Sequence, residues 1–192
     1  RQPFQDLGAV VTGKALDDRT GCWILLEAIK RLDAAGMATD LYAVFTTQEE
    51  VGLRGAQTSA YAVTPDVGIA LDTTLAVDTP EILEHLRVTQ LGKGTALKVM
   101  DSSIISTRWL LDHFIELAEK NGIAYQLEVL PLGGNDAAAL QKAREGAPSF
   151  TISTPSRYVH TVTEMVSKSD LEGAVQLLTA FLREGVQLGG RD

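Results

Sequence analysis

The sequence predicts an α/β fold: a three-layer α/β/α sandwich on a mostly parallel mixed sheet, forming one domain over residues 1–192. Three observations predict it. Short β-branched or apolar runs alternate with longer segments of helical period, the pattern of a sheet covered by helices. Two of those runs, "LYAVFTT" and "VGIAL", are almost continuously apolar, as expected of strands covered on both faces. No internal repeat, low-complexity tract or long Pro/Ser-rich linker breaks the chain, whose length suffices for one sizeable core.

In chain order, strands are expected near 8–13 ("GAVVTG"), 41–47 ("LYAVFTT"), 67–71 ("VGIAL"), 95–100 ("TALKVM"), 125–130 ("YQLEVL") and 148–153 ("PSFTIS"). Thr20 reads as the cap of a first helix whose apolar face uses Cys22, Leu25, Leu26, Ile29 and Leu32 and which ends at Gly36. Further helices are expected at about 54–62, 106–120, 136–144 and 170–184, the last with Asp170 as N-cap. The stretch 73–94 is the least regular and reads as an exposed excursion or binding loop.

Charge excludes some classes of partner. With 17 Lys and Arg against 25 Asp and Glu, the formal charge is −8, and no basic stripe could neutralise a phosphate backbone or seek an acidic membrane. Cys22 is the one cysteine, so no intrachain disulfide forms; this fits a reducing, cytoplasmic setting, and Cys22 itself reads as a small core residue. No apolar run approaches the roughly 20 residues needed to cross a bilayer. The opening "RQPFQDLG" has neither an initiator Met nor a charged-then-apolar leader and is expected to lie inside a longer gene product.

The acids fall at informative places. Asp17 and Asp18 follow the first expected strand, Glu49 and Glu50 the second, Asp72 the third, and His160 the last after a short loop. Ligands of open α/β sheets bind outside the carboxyl ends of strands. Four strands therefore deliver carboxylates or imidazole to one rim. Like charges gathered there repel unless a cation sits among them. Carboxylates with imidazole and no thiolate suit zinc, cobalt or manganese, and more acids than one ion needs suggest two ions sharing a carboxylate and a water. One glutamate of the pair can then be a ligand while its neighbour serves as general base. Each acid also has a plainer reading: Glu49 and Glu50 as a solvated pair, Asp18 orienting Arg19 or a backbone group, Asp72 capping a turn. Paired carboxylates also serve glycosidases, which need neither His160 nor a further acid. "GKALDDRTG" and "LGKGT" do not fit the phosphate-binding pattern G-x-x-x-x-G-K-[ST], so their glycines read as turn residues.

"GKALDDRTG", "TTQEEVGLRGA", "ALDTT", "LGKGTALKVMD" and "SRYVHT", together spanning nearly the whole chain, resemble the dinuclear-metal aminopeptidases that build tetrahedral shells, a family of glutamyl, leucyl and deblocking aminopeptidases and of proteins labelled cellulase M. The resemblance implies a metallo-exopeptidase fold, peptide substrates, a dodecamer-like homo-oligomer and two divalent ions, zinc or cobalt. It implies Asp17 as the carboxylate bridging both ions, with a cis Asp17–Asp18 peptide. Glu49 is implied as general base, Glu50 and His160 as ligands of one ion, and Asp72 of the other. Asp18, Arg54, Gly133, Gly134 and Arg157 are implied substrate or supporting residues. In "LGGND", Asn135 stands where the family pattern has Thr. The family's second ion also takes a histidine from an upstream His-x-Asp motif, ahead of an inserted dimerisation domain. Of the three histidines, His85 and His113 do not match that motif; His113 reads as a packing or surface residue, and the place of His85, near the site or away from it, stays open. The implied chain is a catalytic domain without that segment, holding one ion better than two, poorly active alone and poorly assembled. The competing readings are a metal-dependent hydrolase of another bond, such as an amide deacylase or glycosidase, and a non-catalytic folding or partner-binding module.

Overall fold

Apolar runs become strands where a neighbour accepts their backbone groups. The computed structural model describes residues 3–33, 37 and 39–185. Among these, seven strands form one mixed sheet: β1 (Gln5–Asp6), β2 (Val10–Gly13), β3 (Gly68–Leu75), β4 (Thr95–Met100), β5 (Tyr125–Val129), β6 (Ser149–Arg157) and β7 (Glu164–Ser167). The order is β1-β2-β7-β6-β4-β5, with β3 on the other edge of β6. The longest ladder, β3 on β6, is parallel, as is β4 on β5; β4 and β7 meet β6 antiparallel.

Five helices complete the sandwich: α1 (Leu16–Lys30), α2 (Arg54–Val63), α3 (Arg108–Asn121), α4 (Ala137–Lys142) and α5 (Lys168–Glu184). Side chains of a strand alternate between the faces of its sheet. Leu97, Phe150 and Ile152 thus enter the main core with Ile24 of α1, Leu110 and Phe114 of α3, and Leu177 and Phe181 of α5. Ala70 of β3 faces the other way, onto Ala137 and Ala138 of α4. Phe114 stacks between Phe150 and Phe181 at centroid distances of 4.4 and 4.6 Å, and each ring buried in this way stabilises the fold by roughly 1.5–3 kcal/mol. Helices α1, α3 and α5 thus pack on one face of the sheet and α4 on the other, so the three-layer arrangement holds. Among the described residues no helix is long and apolar enough to cross a membrane.

Several expectations are corrected. The run 41–47 is not a strand: it has no ladder partner among the described residues, and Leu41, Tyr42, Val44 and Phe45 are exposed. Composition alone cannot make a strand without a neighbour. β3 and β6 run four residues beyond their expected ends, and β1 and β7 are additional. α1 spans Leu16–Lys30 but is broken at Asp17 and Asp18, whose dihedrals are not helical, so its regular turns start only after Asp18. The Thr20 hydroxyl donates back to the Leu16 carbonyl (2.9 Å) rather than capping from outside the helix. The buried stripe of α1 is Leu16, Thr20, Ile24 and Ala28; Cys22 and Leu26, two positions off and half a turn round, face outward. The helix stops at Lys30, and Gly36 lies outside the described residues. Asp170 is not an N-cap, a place taken by Ser167; its carboxylate accepts the Gly92 and Gly94 N–H groups at 2.7 and 2.9 Å, pinning the turn before β4.

Candidate metal centre

In "GKALDDRTG" the backbone departs from a helix just where its carboxylates are needed. Ala15 is left-handed (φ 55°), the Asp17–Asp18 peptide is cis, and neither aspartate has helical dihedrals. Asp18 accepts the Gly21 N–H at 2.9 Å, and a Cβ on residue 21 would sit 2.2 Å from Asp18 Oδ2. Only glycine leaves that room. In "TTQEEVGLRG" the Gly52 and Leu53 N–H groups donate to the Glu49 carbonyl (3.0 and 2.9 Å), turning the chain into α2. Gly55 donates to the Thr47 carbonyl at 2.9 Å, so close that a Cβ would lie 2.4 Å from Thr47 N. β3 carries Asp72 opposite Ser153 of β6, and β6 runs on to Arg157 before the left-handed Tyr158 and His160 bring the imidazole round.

These pieces converge. One oxygen or nitrogen from each of Asp17, Glu50 and His160 lies within 4.8 Å of the others, and the same holds for Asp17, Asp18 and Asp72. His160 Nε2 is 3.1 Å from Asp17 Oδ2 and 3.2 Å from Glu50 Oε2. Asp17 belongs to both groups, and Asp18 enters the second directly. Glu49 lines the same cleft of about 500 Å³, together with Gly133 and Gly134. Neither Arg54 nor Arg157 is among the lining residues. Arg54 donates to Gln48 Oε1 at 3.2 Å, and Arg157 grips Asp78 at 2.7 and 2.9 Å, tying the 76–94 excursion to the end of β6. His85 is exposed in a single 3-10 turn, Glu84–Leu86, and belongs to neither group. His113 packs edge-on against Phe114 and Phe181. Asn135 is buried and holds the loop to the sheet, donating to Asp101 Oδ2 (2.6 Å) and accepting from Thr151 Oγ1 (2.8 Å) and Ala137 N (2.9 Å).

The electrostatics point one way. Burial, reinforced by Glu50, raises the Asp17 carboxyl above its ordinary range. Desolvation with neighbouring acids pushes Asp18 and Asp72 well above theirs. Glu49 rises to about 7 through burial and the charges of Asp136, Glu50 and Asp17. Asp136 is itself raised by burial; its Oδ2 accepts from Thr46 Oγ1 at 2.6 Å while its buried Oδ1 has no partner. Such a group of acids calls for protons or cations.

Glu164 is the residue that sequence reasoning missed. It is 2 % exposed, and its two oxygens accept the backbone N–H of Asp17 (3.1 Å) and of His160 (2.9 Å). One carboxylate thus fixes the chain at both ends of the first group. The available signal was an acid placed four residues after His160 among the β-formers Val162, Thr163 and Val166. Glu164→Gln keeps one acceptor and the volume, and is expected to weaken zinc binding by about 10–100-fold in calorimetric titration, with the circular dichroism of the fold retained.

Comparison with known proteins gives this geometry its context. A family model described as M42 glutamyl aminopeptidase matches residues 1–177. A putative aminopeptidase of Acetivibrio thermocellus is 46% identical over 174 residues, 89% of this chain and 51% of that protein. Among solved structures, an aminopeptidase from the archaeon Desulfurococcus kamchatkensis superposes with a TM-score of 0.93 at 40% identity, over 96% of this chain and 52% of its own. The TET1 peptidase of Pyrococcus horikoshii, described as assembling into a tetrahedron or a large octahedral shell, superposes with a TM-score of 0.83 at 34% identity, over 96% and 53%. The chain spans about half the length of the relatives it matches.

Proposed function

Because the chain belongs to the M42 glutamyl aminopeptidase family, we propose that it is the catalytic domain of a metal-dependent aminopeptidase that removes N-terminal residues from peptides. The observation that carries this reading is the convergence of Asp17, Glu50 and His160, within 4.8 Å, in the cleft that Glu49 lines. An imidazole with two carboxylates suits a divalent ion such as zinc or cobalt, and the upward shifts of the acids record the cation demand of the cleft. Asp17, Glu50 and His160 would hold one ion, and Asp17 with Asp72 and Asp18 a second. When bound, such ions polarise a scissile carbonyl and acidify water. Glu49 is left to move the proton, taking it from the attacking water and returning it to the leaving amine. Gly133 and Gly134 form part of the cleft wall, and a Cβ at Gly134 would sit 2.8 Å from Ser103 Oγ, so glycine there lets this wall pack onto Ser103.

The two groups are unequal. The first has an imidazole; the second consists of carboxylates, and Asp18 is already engaged by Gly21. The chain alone therefore holds one ion tightly and turns over slowly, and a cytoplasmic homo-oligomer is the setting in which it works. Metal-loaded chain is expected to release p-nitroaniline from leucine p-nitroanilide slowly, to stop on chelation and to recover when zinc or cobalt is restored. Failure to cleave any aminoacyl anilide in a metal-dependent manner rejects the reading, and two tightly held ions per chain reject the inequality.

A further inference from the structure

We infer that Glu128 sets the specificity of this cleft: by cancelling the charge of Lys98 in the cleft floor, it makes the pocket for the substrate's first side chain neutral and selects aliphatic over acidic residues. The inference rests on the aminopeptidase reading and adds the substrate class.

The cleft has two chemically different parts. Its acids surround the reacting end, whereas Leu75, Leu130, Leu132 and Val159 supply apolar wall. An amino-terminal substrate with its amine and scissile bond at the acids lays its first side chain along that wall. Lys98 is the sole Lys or Arg among the lining residues, and its side chain is only 3% exposed. A buried ammonium needs partners. Two carboxylates are near. Asp101 Oδ2 stands 3.5 Å from Lys98 Nζ, but Asp101 is also held by Ser103 N, Ser103 Oγ, Ile104 N and Asn135 Nδ2, and the closer contact of Lys98 is with Glu128.

Glu128, fully buried, hydrogen-bonds Lys98 directly through Oε1, the same oxygen that accepts from Thr74 Oγ1 at 2.7 Å. Its Oε2 is buried and has no partner. An oxygen left bare in the interior is costly, so it is the pairing with Lys98 on the other oxygen that keeps this carboxylate in place. What it supplies is charge beneath Lys98. With Glu128 present, an acidic substrate side chain reaching Lys98 meets a cation already paired and a second carboxylate behind it. A basic side chain cannot pair with Glu128, whose Oε2 is enclosed. An aliphatic side chain loses nothing.

The test compares two chelating probes, leucine hydroxamate and glutamic acid α-hydroxamate, binding to the zinc-loaded chain in calorimetry. Because the probes share one metal-binding head, the ratio of their affinities cancels any change in the metals. Leucine hydroxamate is expected to bind at least about tenfold tighter to the unaltered chain, equivalent to about 1.4 kcal/mol. In Glu128→Gln the ratio should move at least about tenfold towards the glutamate probe, and in Lys98→Met it should stay with leucine. An unchanged ratio in a folded Glu128→Gln chain overturns the inference. If that variant does not fold, the Lys98→Met, Glu128→Leu pair decides, since buried ion pairs are often replaceable by apolar residues: retained preference for leucine supports the inference and lost preference overturns it. Absence of leucine hydroxamate binding to the unaltered zinc-loaded chain overturns the aminopeptidase reading itself.

Discussion

Glu49→Gln is expected to lower the metal-dependent turnover of an aminoacyl anilide by about 10²–10⁴-fold, the usual contribution of a positioned general base, with little change in zinc affinity. The reason is the division of labour at the end of "LYAVFTTQEE". Glu50 stands with Asp17 and His160 in a group that could hold a metal ion, while Glu49 lies in neither group and yet lines the cleft. In the metal-free chain burial and the surrounding acids lift the Glu49 carboxyl to about 7. Bound cations would lower it, and the role of base rests on its place in the cleft outside both groups. Glutamine preserves shape and hydrogen bonding but cannot take the proton. Glu50→Gln separates the roles: it should reduce zinc affinity and turnover together. Equal loss of zinc binding in both variants would show that Glu49 is a ligand and remove it from the role of base.

The parts of this site that were legible in the sequence are those where chemistry and position coincide. Asp17, Glu49, Glu50, Asp72 and His160 drew notice because each stands at or after a strand-like run. The fold brings all five to one cleft, although the run before Glu49 and Glu50 forms no strand and Asp72 lies inside β3. The cis Asp17–Asp18 peptide was legible only through resemblance, since no propensity announces it. Glu164 and Glu128 were hidden for a common reason. Both are buried acids within strands, where alternation predicts a solvent-facing side chain, and partners that explain their burial are distant in sequence: Asp17 for Glu164, beside its near neighbour His160, and Thr74 and Lys98 for Glu128. The misreadings have physical causes too. Cys22 was misplaced because Thr20, Gly21, Ile24 and Ala28, mostly small residues, carry the buried face, while the more apolar-looking Cys22 and Leu26 lie about half a turn away. Asp170 looked like a cap because it opens a helical run, yet it serves the Gly92–Gly94 turn. "LYAVFTT" has the composition of a doubly covered strand, and among the described residues nothing pairs with it.

Stability of the metal-free chain is expected to fall as pH rises from about 5 to about 8, and zinc is expected to reverse that fall. The sign follows from proton counting. Glu49 has an ordinary value of 4.5 and a folded value of about 7, so between these limits the folded chain keeps a proton that the unfolded chain releases. Stability then declines as pH rises, because the unfolded state binds fewer protons. Asp17, Asp18, Asp72 and Asp136 are shifted in the same direction from 3.8 and add to the decline. The lowered acids oppose it only at lower pH: Asp78 on Arg157 and Glu172 on Arg31 lose their contribution as pH drops through their depressed values. Divalent zinc competes with protons for the raised acids, so it binds better at pH 8 than at pH 5. At a free concentration 100 times its Kd it adds about 2.7 kcal/mol, or roughly 5–10 °C in Tm for a chain of this size. Asp72→Asn provides the internal check. Removing one like charge should raise the Tm of the metal-free chain at pH 8 while shrinking the response to zinc, because the residue that weakens the empty fold helps hold the ion. Thermal unfolding at pH 5 and pH 8, with zinc and with chelator, measures all of these; a Tm of the chelated chain that rises between the two pH values would remove the crowded acids as the dominant source of its pH dependence.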